Sequence, residues 1–196
     1  MDRHPVQLTI EPAGKTARIH VLTRLALLVA LGAIGCSSIY WILYLLLPTL
    51  AALLILKKAG PGYLADDGPR IVHVLRWLAA GYAYLWMLTD VLPTTQGGPV
   101  DLRIDVGGRP TAGRALLRWL YSLPALALLL LLSLVAGLLW IVGAISILAV
   151  ARLPALVADF QALTLRLQFR LIAYHLSLVD RYPSLESAAL APAHSA

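Results

Sequence analysis

The chain carries the same pattern twice. Pro5-Val6-Gln7-Leu8-Thr9-Ile10-Glu11 returns as Pro99-Val100-Asp101-Leu102-Arg103-Ile104-Asp105. Lys15, Arg24 and Lys58 match Arg109, Arg118 and Arg152 at an offset of 94. Leu75-Arg76, Tyr84, Asp90 and Pro93 match Leu165-Arg166, Tyr174, Asp180 and Pro183 at an offset of 90. One four-residue deletion after Lys58 reconciles the two offsets. A unit of about 90 residues is too long for a solenoid repeat. It reads as a tandem duplication of a small module, residues 1–94 and 95–184. An Ala/Pro/Ser tail follows at 185–196, with the composition of a disordered segment.

What the module can be is limited by two charge-free runs, Leu25–Leu56 and Trp119–Ala151. Eighteen or more apolar residues without charge are enough to propose a membrane span. Hydrophobic residues make up 60% of the chain and charged ones 13%, against roughly 25% charged in soluble domains. These features predict an integral membrane protein. Ala33-Ile34-Gly35-Cys36 resembles a lipoprotein cleavage box, but the apolar stretch continues well past it and a charged stretch precedes it. Cys36 is therefore expected to be a small residue in a packing face. It is the single cysteine, which excludes an intrachain disulfide and a cysteine metal cluster. The net charge of +6 comes from basic residues flanking the apolar runs. They fit topology signals and contacts with anionic lipid heads, not a nucleic-acid surface.

Each repeat divides into three parts. Val6, Leu8 and Ile10 alternate with polar residues, as do Val100, Leu102 and Ile104, which predicts two short half-buried strands. The strands are expected to pair with each other, or with a partner's edge, at the membrane surface. A long apolar segment follows, Arg18–Leu56 and Arg114–Ala151. As one helix it would measure roughly 58 Å, nearly twice the hydrocarbon thickness of about 30 Å. Either it folds back as a hairpin, or one helix begins in the interface and then crosses. Basic residues at both ends of each segment favour the hairpin, which puts them on one side. Its turns would lie near Gly35-Cys36-Ser37-Ser38 and near Ser133–Gly137, with Arg24 and Arg118 snorkelling back to the interface. Pro48 and Pro124 read as kinks. The third part is a mixed helix, Arg70–Asp90 and Asp159–Asp180. Arg166, Arg170 and His175 predict that the second of these lies in the interface, while the first is apolar enough to sink deeper. The expected fold is thus an all-α integral membrane protein. Each repeat has a short surface strand, a membrane helical hairpin (or one long kinked helix) and an amphipathic interfacial helix.

The second repeat resembles a bacterial membrane family known as domain of unknown function 4389. The residues that carry the resemblance are the charge-free segment and the Arg-rich helix running into Ala173-Tyr174 and Leu178-Val179-Asp180-Arg181-Tyr182-Pro183. The family's ending has Leu-Thr-Asp before a variable residue and Tyr-Pro; here Val179 replaces the threonine. The first repeat keeps Ala83-Tyr84 and Leu88-Thr89-Asp90 but ends without the tyrosine. The resemblance implies a membrane location and brings no activity with it.

No catalytic constellation is legible. His4, His20, His73, His175 and His194 lack metal-ligand spacing, and Gly97-Gly98 and Gly107-Gly108 are turn material rather than a phosphate loop. Asp66-Asp67 reads as a solvated pair. No cofactor and no metal are expected. The repeated Arg/Asp pairs are the exception, because ionisable residues at membrane depth default to a functional hypothesis. Arg76 and Asp90 are too far apart along one helix to pair, as are Arg166 and Asp180. A pseudo-twofold arrangement could join Arg76 to Asp180 and Arg166 to Asp90. Alternatively, the aspartates accept backbone N–H groups in turns and the arginines anchor in lipid heads. Arg76, Arg166, Arg170, Tyr84 and Tyr174 are the expected anchors. Tyr40, Trp41, Tyr44, Trp77, Trp86, Trp119 and Tyr121 are expected as interface belt or packing residues. The expected role is non-enzymatic: an accessory or scaffold subunit of a larger membrane complex or homo-oligomer, in contact with anionic lipids. It would be multi-pass in a bacterial inner membrane, with charged loops and termini cytoplasmic. The alternative is a small transporter or lipid-handling protein with a site between the repeats.

Overall fold

A computed structural model describes residues 4–11, 16–33, 36–93 and 98–184, with side chains of 33–45 excluded. The expected hairpin turn at Gly35 and the tail at 185–196 lie outside the described residues. The architecture is mostly helical with one small sheet. Strand β1 (Val6–Ile10) is followed by helices α1 (Arg18–Ala33), α2 (Cys36–Gly62) and α3 (Gly68–Leu85). Strand β2 (Val100–Ile104) then leads to α4 (Ala112–Tyr121), α5 (Leu123–Val150) and α6 (Ala155–His175). A π-helical stretch, Tyr63–Asp67, joins α2 to α3.

The two strands pair with each other, antiparallel, with Val6 opposite Ile104, Leu8 opposite Leu102 and Ile10 opposite Val100. Their alternation puts Val6, Leu8, Leu102 and Ile104 in the core. Asp101, Arg103 and Asp105 stay exposed on the other face. Burying one face of each strand fixes the register, because a one-residue slip would expose the whole apolar set.

The second apolar segment does not fold back as a hairpin. Short α4 ends at Ser122, and α5 then runs unbroken for 28 residues, about 42 Å. Ser133–Gly137 lies inside α5, so the turn expected there does not form. The stretch reads Ser-Leu-Val-Ala-Gly, in which the lone Ser133 and Gly137 are separated by helix-compatible residues and do not end a helix. Pro124 falls in the first turn of α5, where its missing N–H is no loss, and starts the helix instead of kinking it. α5 is the one helix among the described residues long and apolar enough to cross a membrane.

The expectation for α6 is overturned. From Thr164 to His175 every residue is buried, including Arg166, Gln168 and Arg170. α6 is no interfacial helix but the central one, because β1, α2, α3, α4 and α5 all pack on it. α3 is one-sided: Val72, Leu75, Ala79 and Ala83 face the core, while Val74 and Trp77 are exposed. The helix with apolar residues turned outward beside a polar junction is α4, whose Leu116, Leu117, Trp119, Leu120 and Tyr121 are exposed.

Candidate functional site

Two of the buried arginines, Arg24 and Arg118, sit where the first helix of each half meets the C-terminus of the third. α3 ends with Met87 at φ 65° and α6 with Ser177 at φ 55°. Leu88 N–H donates to the Ala83 carbonyl at 2.9 Å and Met87 N–H to Tyr84 at 3.1 Å. Leu178 and Ser177 repeat these bonds to Ala173 and Tyr174, both at 3.0 Å. This is the Schellman turn, which closes a helix through one left-handed residue. Carbonyls at and just beyond the helix end keep lone pairs for further donors.

An arginine supplies them in each case. Arg24 is fully buried. Its Nε donates to the Tyr84 carbonyl at 2.7 Å, and its Nη2 donates to the Thr89 carbonyl and to Asp90 Oδ1, both at 2.7 Å. Arg118 Nη1 donates to the Tyr174 carbonyl at 2.7 Å and to the Val179 carbonyl at 2.5 Å, while Nη2 pairs with Asp180 Oδ1. Each guanidinium also lies over the ring of the matched tyrosine, 4.7 Å from Tyr84 and 4.5 Å from Tyr174. The second carboxylate oxygen accepts a backbone N–H, from Ala17 at 2.9 Å for Asp90 and from Arg109 at 3.4 Å for Asp180. Helix carbonyls, carboxylate and ring thus all favour one buried cation. We call each constellation a clasp.

α5 links the two. It begins just past Arg118, and its far end meets the first clasp. Trp140 Nε1 donates to the Leu85 carbonyl at 2.9 Å, and Arg18 Nη2 to the Ala149 carbonyl at 3.2 Å. At the second clasp, Tyr63 Oη donates to the Leu176 carbonyl at 2.5 Å. Each half therefore ties down the other's helix end.

The structure places the expected site residues differently from the pairs proposed for them. Asp90 and Asp180 do not meet Arg166 and Arg76. They pair with Arg24 and Arg118, which the sequence reading sent to the interface; both are buried. Arg76 and Arg166 do bridge the halves, but to backbone. Arg76 Nε donates to the Leu102 carbonyl of β2 at 2.9 Å, and Arg166 Nε to the Leu8 carbonyl of β1 at 3.3 Å. Tyr84 and Tyr174 are ring partners of the clasp arginines, not lipid anchors. Arg170 is buried within α6. Trp77, Trp119 and Tyr121 are exposed, and the side chains of Tyr40, Trp41 and Tyr44 lie outside the described residues. Asp66 and Asp67 both face Lys58 Nζ, at 3.6 and 2.9 Å. No group of histidine, cysteine or acidic residues among the described residues could hold a metal.

The signal that would have found Arg24 and Arg118 was present: matched position in both repeats, at the edge of a charge-free run. Gly108 matches Gly14 at the offset of 94 but lies away from the charge-free runs, and His4 has no matched copy. Gly108 has φ 109° and lies so close to Asp180 Oδ2 that no side chain fits. His4 Nδ1 accepts the Val6 N–H at 3.1 Å.

The fold and its clasps define a small helical protein with arginines inside and apolar helices outside. Residues 113–185 match the family described as Domain of unknown function (DUF4389). The matched stretch contains the whole of α5 and α6 with Arg118, Tyr174 and Asp180. No curated protein and no solved structure matches the chain.

Proposed function

We propose that this chain is a non-enzymatic, multi-pass protein of a bacterial inner membrane, built of two modules at 1–94 and 95–184. In this reading it is an accessory or scaffold subunit of a larger membrane complex. The carrying observation is the inverted distribution of polarity. α5 is 28 residues of near-pure hydrocarbon, and only 17% of its most apolar stretch is buried. Leu131, Leu134, Leu138 and Ile145 are each about 60% exposed, as are apolar residues of α1, α2 and α4. Meanwhile Arg24, Arg118, Arg166 and Arg170 are inside. An apolar surface of this extent is an interaction face for lipid or protein. The unit of about 42 Å exceeds the hydrocarbon thickness, so α5 would cross with tilt or with its ends in the headgroups. The exposed charges of the strand pair would face water.

The scaffold reading is favoured over transport because the ionisable groups that a transport site would use are engaged. Both aspartates hold an arginine and a backbone N–H, and both clasp arginines hold helix ends. Two measurements test the proposal. The protein should stay in the membrane fraction after alkaline carbonate extraction; release into the supernatant ends the membrane reading. Purification in mild detergent should then retain a protein partner at fixed stoichiometry. A lone monodisperse species carrying defined lipid would instead favour the lipid-handling alternative.

A further inference from the structure

The two halves join their second and third helices differently. In the second half, α5 ends at Val150 and α6 begins at Ala155. The turn between them uses one left-handed residue, Ala151 at φ 55°, ψ 31°, a small well that L residues do visit. The first half has four more residues after Lys58 and builds a strap there, residues 59–67. Ala59 stands at φ 59°, ψ 161°, a region populated almost only by glycine. Tyr63–Asp67 then forms the π-helical stretch, a rare form that is frequent at functional sites. The second half shows that a module can join its helices without such a strap.

The strain is held by contacts on both sides of the second clasp. Gly60 lies so close to the Pro110 carbonyl oxygen, at the lead into α4, that no side chain fits. Tyr63 is wholly buried, and its Oη donates to the Leu176 carbonyl at the end of α6, at 2.5 Å. α4 carries Arg118 and the chain after α6 carries Asp180, so the strap touches both elements that this clasp joins. One cation draws the ends of the strap together. Lys58 Nζ, just before Ala59, lies 2.9 Å from Asp67 Oδ1 and 3.6 Å from Asp66 Oδ2 at the far end. The Lys58 side chain is 30% exposed and that of Asp66 64%, so salt screens this pair as it does not screen a buried one. Strain at Ala59 favours opening, and a solvent-reachable ion pair opposes it.

We propose that residues 59–67 are a strained latch on the second clasp, which opens when Lys58 loses its carboxylate partners. Opening returns Ala59 to an ordinary backbone conformation, withdraws Tyr63 from the Leu176 carbonyl and loosens the end of α6. Near the first clasp, the Leu85 carbonyl is held instead by Trp140, in the middle of an unbroken helix. The control therefore falls on the second clasp. The latch stands on backbone geometry and one ion pair, and does not depend on the membrane reading above.

The test is hydrogen exchange of the full chain in detergent micelles, read by mass spectrometry as protection factors. Three segments are followed: the strap at 59–67, the end of α6 at 176–180, and the end of α3 at 86–90 as the internal control. Ala59→Gly removes the strain and should raise protection of the strap about tenfold, because the relief exceeds the freedom that glycine adds to the open state. Lys58→Met removes the ion pair and should lower protection about threefold. Sodium chloride at about 1 M should lower protection in the wild type and leave Lys58→Met unchanged. Both variants should move 176–180 in the same direction as the strap and leave 86–90 where it was. Ala59 is exposed and Lys58 partly so, so both variants keep the core. Unchanged or lower protection in Ala59→Gly shows that no strain is stored there. A salt effect that persists in Lys58→Met assigns the restraint to other charges. Movement of the strap without 176–180 uncouples it from the clasp. Each of these three results overturns the proposal.

Discussion

In the first clasp the Arg24 side chain is fully buried and Asp90 is 21% exposed; in the second, Arg118 is 6% exposed and Asp180 49%. The acceptors correspond, but the donor atoms and the surroundings differ. Asp90 is also held more closely by backbone, 2.9 Å from Ala17 N against 3.4 Å from Arg109 N for Asp180. A charge pair gains strength as water leaves it, and it also becomes more costly to break on one side. The first clasp should therefore be the stronger lock and the more vulnerable one. The cores behind the clasps differ in the same direction. α6 has Gln161, Gln168, His175 and Ser177 where α3 has Ile71, Leu78, Leu85 and Met87. The second half thus buries polar side chains at positions that are apolar in the first.

Removing the clasp cations should have the largest effect. Arg24→Met takes the buried cationic donor away from Asp90 and from the Tyr84 and Thr89 carbonyls. We expect a loss of about 3–5 kcal/mol, read by denaturant unfolding in micelles. Arg118→Met should cost clearly less, because Asp180 can turn to water. Equal losses would refute the argument from burial. Gly108→Ala attacks the second clasp from the backbone, at φ 109° with no room beside Asp180. The expected cost is about 2 kcal/mol. It should shrink when combined with Asp180→Ala, which removes the obstructing carboxylate.

The architecture was legible where pattern and burial agree. The alternation Val6-Leu8-Ile10 predicts a strand with one buried face, and such a strand exists because its matched copy supplies the partner. α6 was misread because its arginines suggested a wet interface. A sequence gives the cost of burying Arg166 but not the remedy, here the Leu8 carbonyl of β1. Arg24 and Arg118 were misread for the same reason. Their acceptors, the carbonyls of Tyr84, Thr89, Tyr174 and Val179, are backbone atoms some 60 residues away. No residue type announces such acceptors, although the doubling of Arg24 with Tyr84 and Asp90 did.

His4 gives a pH test of the asymmetric half. Burial first, and then the Arg170 charge, push its pKa down from 6.5 to about 4. The native state thus resists the proton that the unfolded chain accepts. Its contribution is complete above pH 6.5, is lost as pH falls towards 4, and changes no further below that. At about 1.4 kcal/mol for each unit, discounted for partial solvent screening, the loss should be about 2 kcal/mol. His4→Gln should flatten this part of the pH profile. A variant with the full slope would assign it to other groups.

The smallest effect is the sharpest, because the two halves should respond with opposite signs. Met87 and Ser177 occupy the left-handed position of their turns, at φ 65° and 55°, which favours glycine. Ser177→Gly relieves that conformation. It gives up only a hydroxyl that has no hydrogen-bond partner among the described residues, and it should stabilise by about 1 kcal/mol. Met87→Gly relieves the same conformation but deletes a side chain 1% exposed and packed with Val21, Ala144 and Ile147. Losing that packing costs about 2–5 kcal/mol, so the net change should be destabilising. Thermal unfolding of the two variants side by side checks this. If both destabilise, Ser177 makes a contact that its geometry does not reveal. If both stabilise, the cluster joining the first clasp to the end of α5 contributes little, and the clasp alone holds that end of the molecule.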